Sequence, residues 1–237
     1  MSILVDTSQR SEETEIMDDF SLEGKVFRDT LNKLETINRT LGGNIVTIAG
    51  LKTILKDQPK DQEIVIVDLG CGHGDILRDV AKFGRKHGYQ FRLIGIDANQ
   101  DAIDYAEELS QNFPELEFQA LDIFSEEFKK LKYDVVLCTL FAHHFKDDEL
   151  KQMLQGLLLN ARLGIVINDL HRHKIAYYLF KLIGLFIRNR MVREDGLTSI
   201  LRAFKRKDLE QLSTTLNAKF SIKWKWAFRY QWILQKT

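Results

Sequence analysis

Between residues 65 and 75 the chain reads VIVDLGCGHGD: an apolar run, the acid Asp68, glycines at 70, 72 and 74, and a second acid, Asp75. Glycine at alternate positions past an apolar run lets the backbone turn sharply and come close to a ligand. A dinucleotide fingerprint would need its third glycine one position later, where Asp75 stands, and a helix N-terminus free to receive pyrophosphate. Asp75 is expected to cap that helix instead and to place negative charge where phosphate would lie. The two acids favour a ligand that carries positive charge and no phosphate.

Two more acids follow apolar runs. Asp97 closes LIGIDAN, where a carboxylate would accept from both hydroxyls of a ribose, and Asp122 in FQALDIF can take an adenine amino group while Ile123 packs on the ring. Any one of Asp75, Asp97 or Asp122 reads equally as a helix cap or turn former. Acids at three successive strand ends read together as a site for S-adenosyl-L-methionine, with its sulfonium, ammonium and adenosine.

Four of the six histidines cluster in two further segments, His143 and His144 in CTLFAHHF and His171 and His173 in NDLHRHK. Imidazole titrates near neutrality and can accept the proton of a phenol, whose pKa is about 10 in water. His144 and His171 are the candidate base or acceptor-orienting residues, against the alternative that they only hydrogen-bond loop backbone. No metal is expected: Cys138 with these histidines lacks a zinc spacing, and Cys71 and Cys138 suit small apolar positions in strands.

The elements that would position these groups alternate regularly. Apolar runs at EIVIVDLG, FRLIGID, LEFQALD, YDVVLCTLF and RLGIVINDL are separated by amphipathic stretches starting near Asp75, Asn99, Ser125 and Asp147, which predicts a parallel sheet covered on both faces. A helix near 206–217 then leads into FSIKWKWAFRYQWILQ, read as a terminal hairpin. Ahead of the sheet, residues 1–22 form an acidic segment expected to be loose, and 23–58 a helical cap. Residues 59–237 make the main domain, with a lid at about 171–204. Lysine plus arginine equals aspartate plus glutamate at 34 each, so no basic field calls for nucleic acid. Two cysteines, a polar acidic start and no long apolar run lead to the expectation of a cytoplasmic protein.

VDLGCGHG, GIDAN, ALDIF and YDVVLCTLFAHHF together resemble the class I S-adenosylmethionine-dependent methyltransferases over residues 60–237. The resemblance implies a Rossmann-like α/β doubly wound sheet of seven strands in order 3-2-1-4-5-7-6, the C-terminal antiparallel hairpin supplying the last two. It implies cofactor contacts at Asp68, Gly70, Cys71, Gly72 and Gly74, at Asp97 and Ala98, at Asp122 and Ile123, and at Thr139. INRTLGG, NDLHRHKIAYYLFKL and DGLTSILRAF are similar to quinone- and polyketide-tailoring methylases. That similarity implies a small aromatic or polyketide-like hydroxyl as acceptor, with carbon methylation of a quinone-type precursor and a non-catalytic cofactor-binding partner as the alternatives.

The stretch HRHKIAYYLFKLIGLFIRNRMVR is apolar almost all round its helix, with basic residues and no acid. Two accounts remain open: core packing between sheet and lid, or a roof over a greasy acceptor with peripheral membrane contact through residues 172–190.

Overall fold

The computed structural model describes residues 5–236. Apolar runs too short and too β-branched for helices form β1 (Glu63–Leu69), β2 (Gln90–Asp97), β3 (Leu116–Ala120), β4 (Tyr133–Thr139) and β5 (Ala161–Leu170), all parallel. The terminal hairpin, β6 (Ala218–Lys225) and β7 (Arg229–Lys236), joins antiparallel to β5. The order is β3-β2-β1-β4-β5-β7-β6, as the sequence predicts. Strand order reverses between β1 and β4, so a ligand crevice is expected at the carboxyl ends of these strands.

Helices cover both faces. On one, Leu51, Ile54 and Leu55 of α2 (Gly43–Leu55) and Leu77 and Val80 of α3 (Asp75–His87) pack on Ile66, Leu93, Leu137 and Val166. A Cβ at Gly50 would lie 2.4 Å from Val166, so α2 seats directly on β5. Within the 23–58 segment, expected as a helical cap, α2 packs as a layer of the sheet. On the other face, α5 (Glu126–Lys130), α6 (Asp147–Asn160) and α9 (Arg206–Thr214) bury Phe128, Leu150, Leu154 and Leu209 against Val67, Val136, Ile165 and Trp232. Phe27 and Leu31 of α1 (Gly24–Thr40) meet Ala102 of α4 (Gln100–Leu109). The lid is two helices, α7 (Lys174–Gly184) and α8 (Arg190–Arg202). They interlock where the Phe180 ring occupies the space a side chain at Gly196 would need, 2.3 Å from its Cβ.

The N-terminal segment departs from expectation. Residues 1–4 lie outside the described residues, but from Val5 onward the segment is a strap bound across the lid and the β4 end. Arg10 donates to the carbonyls of Arg202, His143 and Phe145 at 2.7, 3.0 and 2.9 Å. The amides of Ile16 and Met17 donate to Asp195 at 2.7 and 3.0 Å. Arg202 pairs with Asp18 at 2.6 Å and lies 3.6 Å from Glu15. The acids that read as a solvated run are thus held by basic partners more than 120 residues away, which no local pattern reveals. Arg172, counted by its charge among the basic face of the lid, is buried: it donates to the carbonyls of Thr7 and Ala203 and pairs with Asp208 at 3.0 Å.

Breaking a buried ion pair on one side costs about 3–5 kcal/mol, because the remaining charge is left uncompensated. Arg202→Met is accordingly expected to lower the unfolding free energy by about that amount and to speed amide exchange at Ile16 and Met17. Urea unfolding with hydrogen exchange checks this, and unchanged protection at both amides would show that the strap does not depend on Arg202.

Candidate active site

At the carboxyl edge of the sheet a cavity of about 1010 Å³ opens between the β1, β2 and β4 ends, α1, the strap and the lid. Small-molecule pockets commonly span about 300–1,000 Å³, so it has room for a cofactor and an acceptor together. Its lining carries nine carboxylates and, among the described residues, a single lysine or arginine, Arg229.

The glycine motif divides its work. All three glycines hold positive φ, +64° at Gly70, +51° at Gly72 and +79° at Gly74. A Cβ at Gly70 would sit 2.3 Å from the Phe141 ring and one at Gly74 2.7 Å from Phe118, so these two serve packing. At Gly72 the nearest atom would be Leu31 Cδ2 at 3.5 Å, and with Gly70 this position offers its backbone to the cavity. Asp97 pins the loop: its Oδ2 accepts from the Gly72 amide at 2.9 Å and its Oδ1 from that of Asn99 at 3.0 Å. One lone pair on each oxygen is left for a ligand hydroxyl.

Asp68, Asp75 and Asp97 form the acidic floor. Burial, reinforced by Asp75 and Asp97, pushes the Asp68 carboxyl well above the usual range, and its Oδ1 has no hydrogen-bond partner. Burial likewise raises Asp75, with Glu35 adding to it, and burial raises Asp97 against the amides of Asn99, Gly72 and Ala98 that stabilise its charge. Asp75 is not the cap expected of it: Gly74 holds the N-cap position and Asp75 is the first helical residue, its Oδ2 accepting from Asn44 at 3.2 Å. Three carboxylates desolvated without a cation between them fit a positively charged ligand and exclude a phosphate.

The remaining expected cofactor residues line the same cavity. Ala98 follows Asp97. Asp122, exposed, accepts from the Phe124 amide at 2.9 Å, so it forms the turn and still presents a free oxygen beside Ile123. Cys71 is buried with its thiol pushed up by burial, and its amide donates to Ile96 at 3.1 Å. Thr139 shares a 2.9 Å hydrogen bond with Thr47 of α2.

The histidines separate sharply. His144 lines the cavity with Nδ1 2.6 Å from Asp18. Asp18 is held below the ordinary carboxylate range, since hydrogen bonds from His144 and Arg202 outweigh its burial. The ionised carboxylate can only accept, so Nδ1 donates and Nε2 is left as the acceptor. His171 also lines the cavity, but burial, with help from His173 and Arg172, lowers its pKa to about 4, and its Nδ1 accepts from Trp224 at 3.3 Å. Its lowered pKa makes it a weaker base than a free imidazole, while its place on the wall suits an acceptor-orienting role. His143 is fully buried between Asp169 Oδ1, 2.7 Å from Nδ1, and Glu15 Oε1, 3.4 Å from Nε2. Burial opposes its charge, but these two carboxylates outweigh burial and raise its pKa to about 10.

Glu15, His143 and His144 come close enough to suggest a metal site. The cationic charge there is already supplied by the His143 imidazolium and by Arg202, so the cluster reads as ion pairs.

A methyltransferase-domain family model matches residues 60–226. The chain belongs to this family. It is an S-adenosylmethionine-dependent methyltransferase. Over 108 residues it is 32% identical to the protein-lysine N-methyltransferase EFM4 of Saccharomyces cerevisiae (strain ATCC 204508 / S288c), a match over 43% of this chain and 41% of that protein. The chain thus matches less than half the length of that relative. Among solved structures it is similar in fold to the plantazolicin methyltransferase BpumL in complex with SAH, with a TM-score of 0.65 at 19% identity, over 90% of this chain and 89% of that one. The magnesium protoporphyrin IX methyltransferase ChlM of Synechocystis PCC 6803 with bound SAM gives 0.55 at 14% identity, over 93% and 89%. The CMeT domain of the citrinin polyketide synthase gives 0.62 at 12%, over 81% and 52%.

Glu15, Asp18 and Arg229 are the site residues that sequence reasoning missed. Arg229 is buried on β7 with Nε and Nη1 unpartnered, and burial lowers its pKa to about 10 against the pull of Asp169. Inward placement on the predicted hairpin was its only signal.

Asp97→Ala is expected to weaken S-adenosylhomocysteine binding by about 1–3 kcal/mol, from the loss of a charged buried acceptor and of the Gly72 anchor. Titration calorimetry on the folded variant checks it, and full affinity would remove Asp97 from the ligand site. The strap should also respond to pH. The raised His143 pKa contributes stability that is complete below its unfolded value near 6.5 and is lost as pH rises through about 10. The depressed Asp18 and Glu15 contribute stability that is present above their ordinary range and lost on acidification. Limited proteolysis within residues 5–22 should therefore be slowest between about pH 5 and 8; a rate flat from pH 7 to 10.5 would contradict the His143 assignment.

Proposed function

We propose that the protein transfers a methyl group from S-adenosylmethionine to a small acceptor, an aromatic or polyketide-like hydroxyl, with His144 as the general base. The observation that carries this reading is the Asp18–His144 pair on the wall of an acid-rich, otherwise apolar cavity that also holds the Gly72 cradle. Methylases of polyketides and porphyrins among the fold neighbours support a small acceptor.

In this reading Asp97 receives the ribose hydroxyls and the Gly72 backbone lies against the ligand. Asp122 and Ile123 take the adenine, and Asp68 and Asp75 face the cationic end. Arg229 supplies the counter-charge for a carboxylate. The bound cofactor contributes an electrophilic methyl carbon, so the chain's task is mainly to orient the acceptor and remove its proton. Asp18 keeps the proton on His144 Nδ1, which leaves Nε2 to accept the acceptor's proton. The imidazolium of His143, its ring centroid 4.4 Å from that of His144, fixes the neighbouring backbone through Asp169. Leu179, Phe180 and Ile183 of the lid give the acceptor an apolar roof.

His144→Ala is expected to reduce the methylation rate of a phenolic acceptor by about a hundredfold or more while leaving S-adenosylhomocysteine affinity unchanged. The deficit should shrink as pH approaches the phenol pKa, because solvent then ionises the hydroxyl. His171→Ala should lose much less. Labelled-cofactor assays against phenols, quinols, carboxylates and a lysine peptide provide the measurement. Turnover of the peptide alone would overturn the small-acceptor reading, and equal loss in the two variants would overturn the choice of His144.

A further inference from the structure

The lid helix α7 buries only Ala176 and Gly184. Core packing thus fails as the account of its apolar surface. Its inner side, at Phe180, Ile183 and Leu179, walls the cavity. Its outer side carries Ile175, Tyr178 and Leu182, spaced three and four residues apart, and continues into Leu185 and Phe186, which are 74% and 85% exposed. So contiguous an apolar strip on open surface calls for a partner.

Charge identifies the partner. From Leu170 to Arg193 the chain has no acid. Lys174, Lys181, Arg188 and Arg193 are exposed and make no ion pair among the described residues, while Arg190 pairs with Glu194. Asp6 lies near enough to Lys174 to feel its charge, as Glu194 does to Arg193. Cations bordering a bare apolar strip are the composition of a helix lying in the interface of an anionic bilayer. Two tryptophans extend the rim: Trp224 and Trp226 are 48% and 66% exposed, Trp224 donates to His171, and Trp226 lines the same cavity. Indole favours the headgroup level, where an apolar ring meets polar surroundings. No helix among the described residues is long and apolar enough to cross a membrane, so the contact is peripheral.

We propose that α7, flanked by Trp224 and Trp226, docks on an anionic lipid surface with the cavity mouth against it, so that a lipophilic acceptor enters from the bilayer. The acceptor route rests on the small-acceptor reading above; the docking does not.

The test is flotation of the full chain with vesicles of phosphatidylglycerol and phosphatidylcholine, and with phosphatidylcholine alone. Binding is expected to the anionic vesicles, to weaken at least tenfold in high salt, and to fall at least tenfold in Leu182→Asp/Phe186→Asp, which leaves the cavity wall intact. Lys181→Glu/Arg188→Glu should lose anionic binding without touching the apolar strip. Unchanged S-adenosylhomocysteine binding certifies the fold of each variant. Absence of binding to anionic vesicles at low salt would overturn the proposal, as would equal binding by wild type and Leu182→Asp/Phe186→Asp. So would a concentration-dependent dimer, dissolved by the same variant, in a protein that leaves vesicles untouched. None of these outcomes bears on methyl transfer to a soluble acceptor.

Discussion

A single buried imidazolium organises the working edge of this molecule. His143 sits between Asp169 at the end of β5, 2.7 Å away, and Glu15 in the strap, 3.4 Å away, so its charge ties the sheet to a segment that Arg10, Asp195 and Arg202 also hold. An unpaired buried charge costs several kcal/mol, and the carboxylates on either side of His143, with Arg202 and Ser199 beside Glu15, offset that cost. Asp18 follows Glu15 into place and meets His144 and Arg202. Removing the ring from this arrangement would leave two desolvated carboxylates, Asp169 and Glu15, without the charge between them.

The fold was legible because the sheet is written in local patterns. Continuous apolar runs such as VIVDL and DVVLC, each followed by an amphipathic stretch, specify parallel strands buried on both faces, and the alternation in FSIKWKW specifies the hairpin. That Asp68, Gly72, Asp97 and Asp122 meet at one cavity was legible for the same reason, since they stand at or just past strand ends that the patterns locate. What escaped was created by contacts distant in sequence. Glu15 and Asp18 look like part of a solvated run until His143, His144 and Arg202 are brought to them. The roles of His144 and His171 depend on which carboxylate or indole each ring meets, and spacing carries no such information. The lid helix shows the converse limit: its apolar periodicity was visible, but periodicity alone cannot say whether a stripe faces core, cavity or surroundings.

The strap and the lid form one layer over the cavity, yet they close it by different physics. The two lid helices are locked to each other by shape, through the Phe180 ring seated on Gly196. The strap is joined to that lid by charge and by hydrogen bonds to Asp195. Packing thus makes the lid one unit, while ion pairs that respond to pH fasten the strap to it.

The acidic floor has a consequence for turnover. Asp68, Asp75 and Asp97 repel one another in a desolvated setting, and a cationic ligand relieves that repulsion. Methyl donation converts a sulfonium into a neutral thioether and leaves the ammonium of the amino-acid end in place, so a spent cofactor carries one positive charge fewer than a fresh one. In the reading in which these acids face the cationic end of the cofactor, the floor would hold the spent form less tightly than the fresh one, with no moving part required.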